Sequence, residues 1–247
     1  MQETEPRPTT ALLLDMDGTL LDSGAMTSAA FEILEEKFHL NPGTLVAHYN
    51  AYRNLDSEGF SAAGLVAYLS NHIMEINDFD EFALQFNIAF GMAAMDNVYP
   101  DVAQLLHQLS QNKTHQVALF SQGERAWQLL KFANAFGDFA YGESPLFEED
   151  MQFVSANKTD SEFLTHIQAV LRDRGVTHAI VVDDRAKTLQ ELQTNWPQGM
   201  GLTCIRIKRP TVQAYGSSPE DELQELSGVH VIDSLDQVQQ TIDSAKE

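Results

Sequence analysis

The sequence predicts an α/β protein, a doubly wound parallel sheet with an inserted all-helical domain. Three observations predict it. Short runs of branched or large apolar residues recur along the chain, helical patterns lie between them, and one long interval holds helical patterns alone. Such runs suit parallel strands covered on both faces, and their alternation with helices suits a parallel sheet.

The first ten residues, MQETEPRPTT, are polar with two prolines and lack the basic and apolar regions of a signal peptide, so they read as a flexible leader, 1–10. ALLLD, 11–15, is the first strand. Four helical segments follow between 24 and 96: AMTSAAFEILEEKFHL, GTLVAHYNAYRN, SAAGLVAYLSNHIMEI and DEFALQFNIAFGMAAM. That is too much chain for one crossover, so 24–96 is expected to be a domain inserted into a core made of 11–23 and 97–247. Its aromatic residues, Phe31, Phe38, Tyr49, Tyr52, Phe60, Tyr68, Phe82, Phe86 and Phe90, are expected mostly to pack, with one or two facing a ligand. DVAQLLHQLSQ places Leu105, Leu106 and Leu109 on one helix face ahead of the second strand, QVALFS at 116–121. SEFLTHIQAVLRDRG places Phe163, Ile167, Val170 and Leu171 on one face, with Gly175 as C-cap, ahead of the third strand, AIVVDD at 179–184. TCIRI at 203–207, a polar loop QAYGSSPEDELQELSG, a last strand VHVI at 229–232 and a short helix complete the chain.

Composition narrows the function. The 247 residues are 43% hydrophobic, ordinary for a globular protein. The formal charge of −21 argues against nucleic acid or an anionic membrane as partner, and it requires any phosphate site to be locally positive. The single Cys204 forms no internal disulfide and fits a reducing compartment, and no apolar run reaches the roughly 18 residues of a membrane span. The expected setting is cytoplasmic, the expected state a monomer or homodimer, and the expected partner a small molecule.

The chemistry gathers at strand ends. In open parallel sheets, ligands bind outside the carboxyl ends of the strands near the switch in strand order. Asp15 ends the first apolar run, Ser121 the second, and Asp183 with Asp184 the third, while Lys158 precedes the helix leading to the third. Asp15 and Asp17, at i and i+2 of an extended chain, point the same way, and Asp184 would make three carboxylates in one space. That repulsion makes sense around a divalent cation, and all-oxygen ligands suit Mg²⁺. Asp15 could then attack phosphorus as a nucleophile. Two unit charges about 4 Å apart at an effective dielectric near 20 are worth about 4 kcal/mol, so Mg²⁺ and Lys158 would be needed to cancel the repulsion between anions. Ser121 and the backbone N–H groups of Gln122 and Gly123 could hold the phosphoryl oxygens. Asp17 could protonate the leaving oxygen and then activate water, and Gly18 would let the chain turn.

This set resembles the haloacid dehalogenase superfamily, in its phosphatase branch. The resemblance lies in DMDGTLLD, LFSQG, Lys158 within NKTDSEFL, and VVDDR, in the family's order from about 11 to 190. It implies a HAD-like Rossmannoid core, an aspartyl-phosphate on Asp15 and acid/base duty on Asp17. It further implies Mg²⁺ held by the Asp15 side chain, the Asp17 carbonyl and the Asp184 side chain, with Asp183 behind them or acting through water. The block at 24–96 resembles the family's helical cap of the first type, which chooses the substrate. Three positions depart from the pattern: Gln122 where Asn is commoner, Thr159 where a proline follows the lysine, and Thr188 where a longer fourth motif carries an acid.

The plain alternatives are a helix N-cap or turn at Asp15 and Asp17, an N-cap at Ser121 for a helix starting near Glu124, a solvated lysine at 158 and a solvated loop at 183–184. Lys113, Lys131 and Lys187 compete with Lys158 from worse positions. The expected activity is Mg²⁺-dependent hydrolysis of a phosphate monoester. A phosphomutase of the same fold, or a catalytically silent phosphate-binding relative, is the alternative.

Overall fold

The computed structural model describes residues 9–55, 61–111, 115–141, 144–209 and 226–244. Most of the N-terminal leader, Phe60, Lys113 and most of the 213–228 loop lie outside the described residues. Among the described residues, six parallel strands form one sheet: β1 (Thr10–Leu14), β2 (Gln116–Gln122), β3 (Gln152–Ser155), β4 (His178–Asp183), β5 (Gly201–Ile207) and β6 (Val229–Ile232). Their order is β3-β2-β1-β4-β5-β6. The chain winds outward from β1 to β3, returns to β4 on the other side of β1, and winds outward again. The strand order therefore switches beside β1, and the carboxyl ends of β1 and β4 flank the crevice where such sheets bind ligands.

The sequence explains the central strand. Ala11, Leu12, Leu13 and Leu14 are fully buried, and alternate residues feed two separate cores, one on each face of the sheet. The strand begins at Thr10, one residue before the expected first strand, and the Thr9 carbonyl already accepts from the N–H groups of Thr177 and His178.

Helices α1 (Ser23–Lys37), α2 (Thr44–Leu55), α3 (Ala62–His72) and α4 (Phe79–Asp96) fill the interval expected to be helical. Asp22, Ser61 and Asp78 cap α1, α3 and α4 through their side chains. The remaining helices among the described residues are α5 (Pro100–Gln111), α6 (Arg125–Ala140), α7 (Ser161–Asp173), α8 (Ala186–Asn195) and α9 (Val238–Ser244). On α5 the buried face is Val102, Leu105, Leu106 and Leu109, as its periodicity predicts. On α7 it is Leu164, Ile167, Gln168 and Leu171, whereas Phe163 and Val170 lie at its edge, half-buried. Gly175 closes α7 at φ +81°, with its N–H on the Arg172 carbonyl. Among the described residues, no helix is long and apolar enough to cross a membrane.

One strand escaped the sequence reading. β3, QFVS, has only two apolar residues and sits at the sheet edge beside β2. It matters because it delivers the loop that carries Lys158.

Candidate active site

Asp15 follows β1 directly, with its N–H on the Val182 carbonyl of β4 at 3.0 Å, which ties the two central strand ends together. Asp183 is the last residue of β4, and Asp184 follows it. Ligand oxygens of Asp15, Asp183 and Asp184 lie within 4.8 Å of one another. Lys158 is buried among them, its Nζ 2.5 Å from Asp15 Oδ1 and 2.6 Å from Asp183 Oδ2. The solvated-lysine and solvated-loop alternatives therefore fail for Lys158 and Asp183. Burial has the largest influence on Asp15 and pushes its carboxyl up to about 7; Lys158 pulls it down and Asp183 pushes it up. Asp184 is raised well above the carboxylate range by burial, then by Asp183 and Asp15. Burial opposes the charge on Lys158, yet Asp15 and Asp183 hold its ammonium above the ordinary lysine value.

The third side chain of this cluster is Asp183, where the extended-chain argument expected Asp17. The chain is not extended past β1. Met16's carbonyl accepts from the N–H groups of Thr19, Leu20 and Leu21, and this tight turn directs Asp17 elsewhere. Its carboxylate meets Lys131 Nζ at 2.5 and 2.6 Å, Ser23 Oγ at 2.5 Å and Gln128 Nε2 at 3.0 Å. Burial opposes ionisation of Asp17, but Lys131 prevails, with help from Ser23 and Gln128, and holds its carboxyl below the usual range. Ser23, Gln128 and Lys131 are site residues that the sequence reading missed as such. The available signal was the helical spacing: Gln128 and Lys131, at i and i+3, share the face of α6 that follows the LFSQG segment.

Ser121 is the penultimate residue of β2, fully buried, with no hydrogen-bond partner for its Oγ among the described residues. It caps no helix: α6 starts at Arg125, and its cap residue is Glu124. Gln122 offers its carbonyl to Gln128 Nε2 at 2.6 Å, and Gly123 takes φ +143° with its N–H on the Ser155 carbonyl. Gly18 adopts φ +82°, and a Cβ there would lie 2.3 Å from Asp184 Oδ2. Both the turn and this close approach exclude a side chain.

The departure at Thr159 is compensated. Asn157 Oδ1 accepts from the Thr159 N–H at 3.1 Å, and Thr159 Oγ1 lies 2.7 Å from Glu191 Oε2 of α8. A side-chain turn thus fixes the backbone beside Lys158 where a proline ring would otherwise restrict it. Lys187, by contrast, is exposed on α8, 3.9 Å from Glu191.

A cavity of about 640 Å³ opens over this floor. Asp15, Asp17, Gln122, Gly123, Lys131 and Lys158 lie at its base, and Met26, Thr27, Tyr49, Arg53 and Phe90 line it from the helical insertion. Of the insertion's aromatic residues, Tyr49 and Phe90 face the cavity while Phe31, Phe82 and Phe86 pack.

The donor set fits a hard divalent cation. Three carboxylates converge, and Asp184 Oδ1 is buried without a hydrogen-bond partner among the described residues, a costly state that a cation would relieve.

A family model described as haloacid dehalogenase-like hydrolase matches residues 9–194. The chain belongs to the haloacid dehalogenase-like hydrolases. Solved structures of this family share the fold. A haloacid dehalogenase-like hydrolase from Burkholderia xenovorans LB400 aligns with a TM-score of 0.69 at 16% identity, covering 98% of this chain and 100% of that one. The HAD-hydrolase YfnB from Bacillus subtilis, bound to magnesium, aligns with a TM-score of 0.64 at 16% identity over 96% and 100%. A predicted phosphoglycolate phosphatase from Haemophilus somnus 129PT aligns with a TM-score of 0.52 at 15% identity over 94% and 97%. No curated protein matches the chain.

Proposed function

We propose that this haloacid dehalogenase-like hydrolase is a Mg²⁺-dependent phosphatase that hydrolyses a small phosphate monoester through an aspartyl-phosphate on Asp15. The observation that carries the reading is the convergence of Asp15, Asp183 and Asp184 within 4.8 Å, braced by Lys158, with Asp15 and Lys158 lining the cavity. Asp15, Asp184 and the Asp17 carbonyl would hold the cation, with Asp183 supporting through Lys158 or a water. The cation supplies positive charge against the approaching phosphate.

The residues divide the reaction. An Asp15 oxygen attacks phosphorus, the new O–P bond forms, and the ester P–O bond breaks. Lys158 stabilises the spread charge, and Ser121 Oγ with the N–H of Gln122 receives the phosphoryl oxygens, whereas the expected role for Gly123 fails because its N–H is held by the Ser155 carbonyl at 2.8 Å. Asp17 gives a proton to the leaving oxygen. It then takes one from the water that attacks phosphorus, which releases inorganic phosphate and restores Asp15. The helices at 24–96 act as a cap that selects the ester. Burial raises the Asp15 carboxyl to about 7, so a cation beside it would favour the ionised nucleophile near neutrality.

The test is phosphate release from p-nitrophenyl phosphate in MgCl₂, with and without EDTA, by the wild type and by Asp15→Asn. Turnover abolished by EDTA and lowered at least about 10³-fold by the substitution supports the reading. No turnover under any divalent ion would sink it and leave a phosphate-binding relative.

A further inference from the structure

We propose that Lys131 is a positioning residue that sets the carboxylate of Asp17 for proton transfer to the leaving group. The inference rests on the phosphatase reading above. Lys131 and Lys158 divide between the two carboxylates of the first motif: Lys158 meets Asp15, and Lys131 meets Asp17. Lys131 is 4% exposed and the Asp17 side chain 30% exposed, and both border the cavity.

The hydrogen bonding shows why Lys131 differs from the other partners. Oδ1 of Asp17 accepts from Ser23 Oγ and Lys131 Nζ, and Oδ2 accepts from Gln128 Nε2 and Lys131 Nζ. An ionised carboxylate has about four acceptor positions, so all are taken in this arrangement. A proton can reside on Asp17 only after one donor withdraws. Ser23 and Gln128 each hold one oxygen, and either can leave without freeing the group. Lys131 touches both oxygens. It keeps the plane of the carboxylate fixed while one oxygen exchanges a proton with the ester oxygen, and after the exchange it restores the paired state. Proton transfer tolerates little misplacement, so loosening this grip costs rate where a proton must be delivered.

The competing explanation is a buried ion pair that only ties α6 to the loop after β1. Leaving-group dependence separates the two. p-Nitrophenolate departs with little help, whereas phenolate is a poorer leaving group that benefits from a proton. kcat/KM is measured in MgCl₂ on p-nitrophenyl phosphate and on phenyl phosphate for the wild type, Lys131→Met, Asp17→Asn and the double variant. The expected result is a loss of roughly tenfold or more on phenyl phosphate, against about twofold on p-nitrophenyl phosphate. That selectivity disappears when Lys131→Met is added to Asp17→Asn. Equal losses on both esters, or a selective loss that survives in the Asp17→Asn background, overturn the inference. If Lys131→Met does not fold, Lys131→Arg decides by the same comparison, because the guanidinium keeps the charge and displaces the contact. A wild type inactive on both esters overturns the phosphatase reading and this inference together, while an active wild type with unselective variants overturns this inference alone.

Discussion

Asp184 carries the clearest consequence at the scale of single residues. Its buried Oδ1 has no hydrogen-bond partner among the described residues, and its charge sits beside Asp15 and Asp183. Without a cation, that carboxylate is a source of repulsion and not of stability. Asp184→Asn should therefore leave the metal-free melting temperature unchanged or higher. A cation at a hundredfold excess over its Kd stabilises a protein by about 2.7 kcal/mol, or about 5–10 °C for a chain of this length. Wild-type protein should gain a shift of that order in MgCl₂ by thermal denaturation, and Asp184→Asn should gain none. An equal gain by the variant would mean that the ion binds elsewhere. Asp15 and Asp184 were readable in the sequence because an acid closing a fully apolar strand needs a partner. The orientation of Asp17 was not readable. It depends on a turn set by the Met16 carbonyl and on Lys131, which is 114 residues away in sequence.

At the scale of elements, the contact between α6 and α3 links the helical insertion to the loop that follows β2. Glu124, the residue before α6, gives its own helix no side-chain cap. Its Oε2 instead accepts from the Ala62 N–H at 3.0 Å and Ser61 Oγ at 3.3 Å, at the start of α3. A carboxylate at a helix N-terminus is favoured by the unpaired N–H groups there. Hydrogen bonds to a charged group contribute about 1.5 kcal/mol or more, and about 1.4 kcal/mol is a factor of ten in affinity. Glu124→Ala should thus raise KM up to about tenfold and change kcat less than about twofold, as read from steady-state kinetics. A fall in kcat with KM unchanged would instead place Glu124 in the chemical step. The elements themselves were legible where periodicity was strong, as in α5. β3 was not, because two apolar residues at a sheet edge carry no pattern; its pairing with β2 is what makes it a strand.

At the scale of the whole molecule, the insertion and the sheet share one apolar core. Leu12, Leu14, Val182 and Ile205 of the sheet belong to the same buried cluster as Phe31, Phe82, Phe86 and Phe90 of the insertion. Phe86 and Phe90 pack on Trp127 of α6 with ring centroids 5.5 and 4.9 Å apart. Phe86 is fully buried at this junction, so Phe86→Ala should destabilise the protein by about 3–5 kcal/mol. Denaturant unfolding should show one transition for both parts, since the lost contacts belong to both. A separate early transition would show that the helices unfold independently of the sheet.

The sequence alone determined every described strand but β3, the helical interval and the residues that close the strand ends, because alternation, periodicity and an acid after an apolar run are local signals. Only the tertiary structure decided which charges meet. Lys158 finds Asp15 and Asp183, and Lys131 finds Asp17, because β1, β4, α6 and the loop after β3 converge where the strand order switches. Electrostatic partnership falls off within a few ångströms, and no local pattern encodes which of several lysines the fold carries that close.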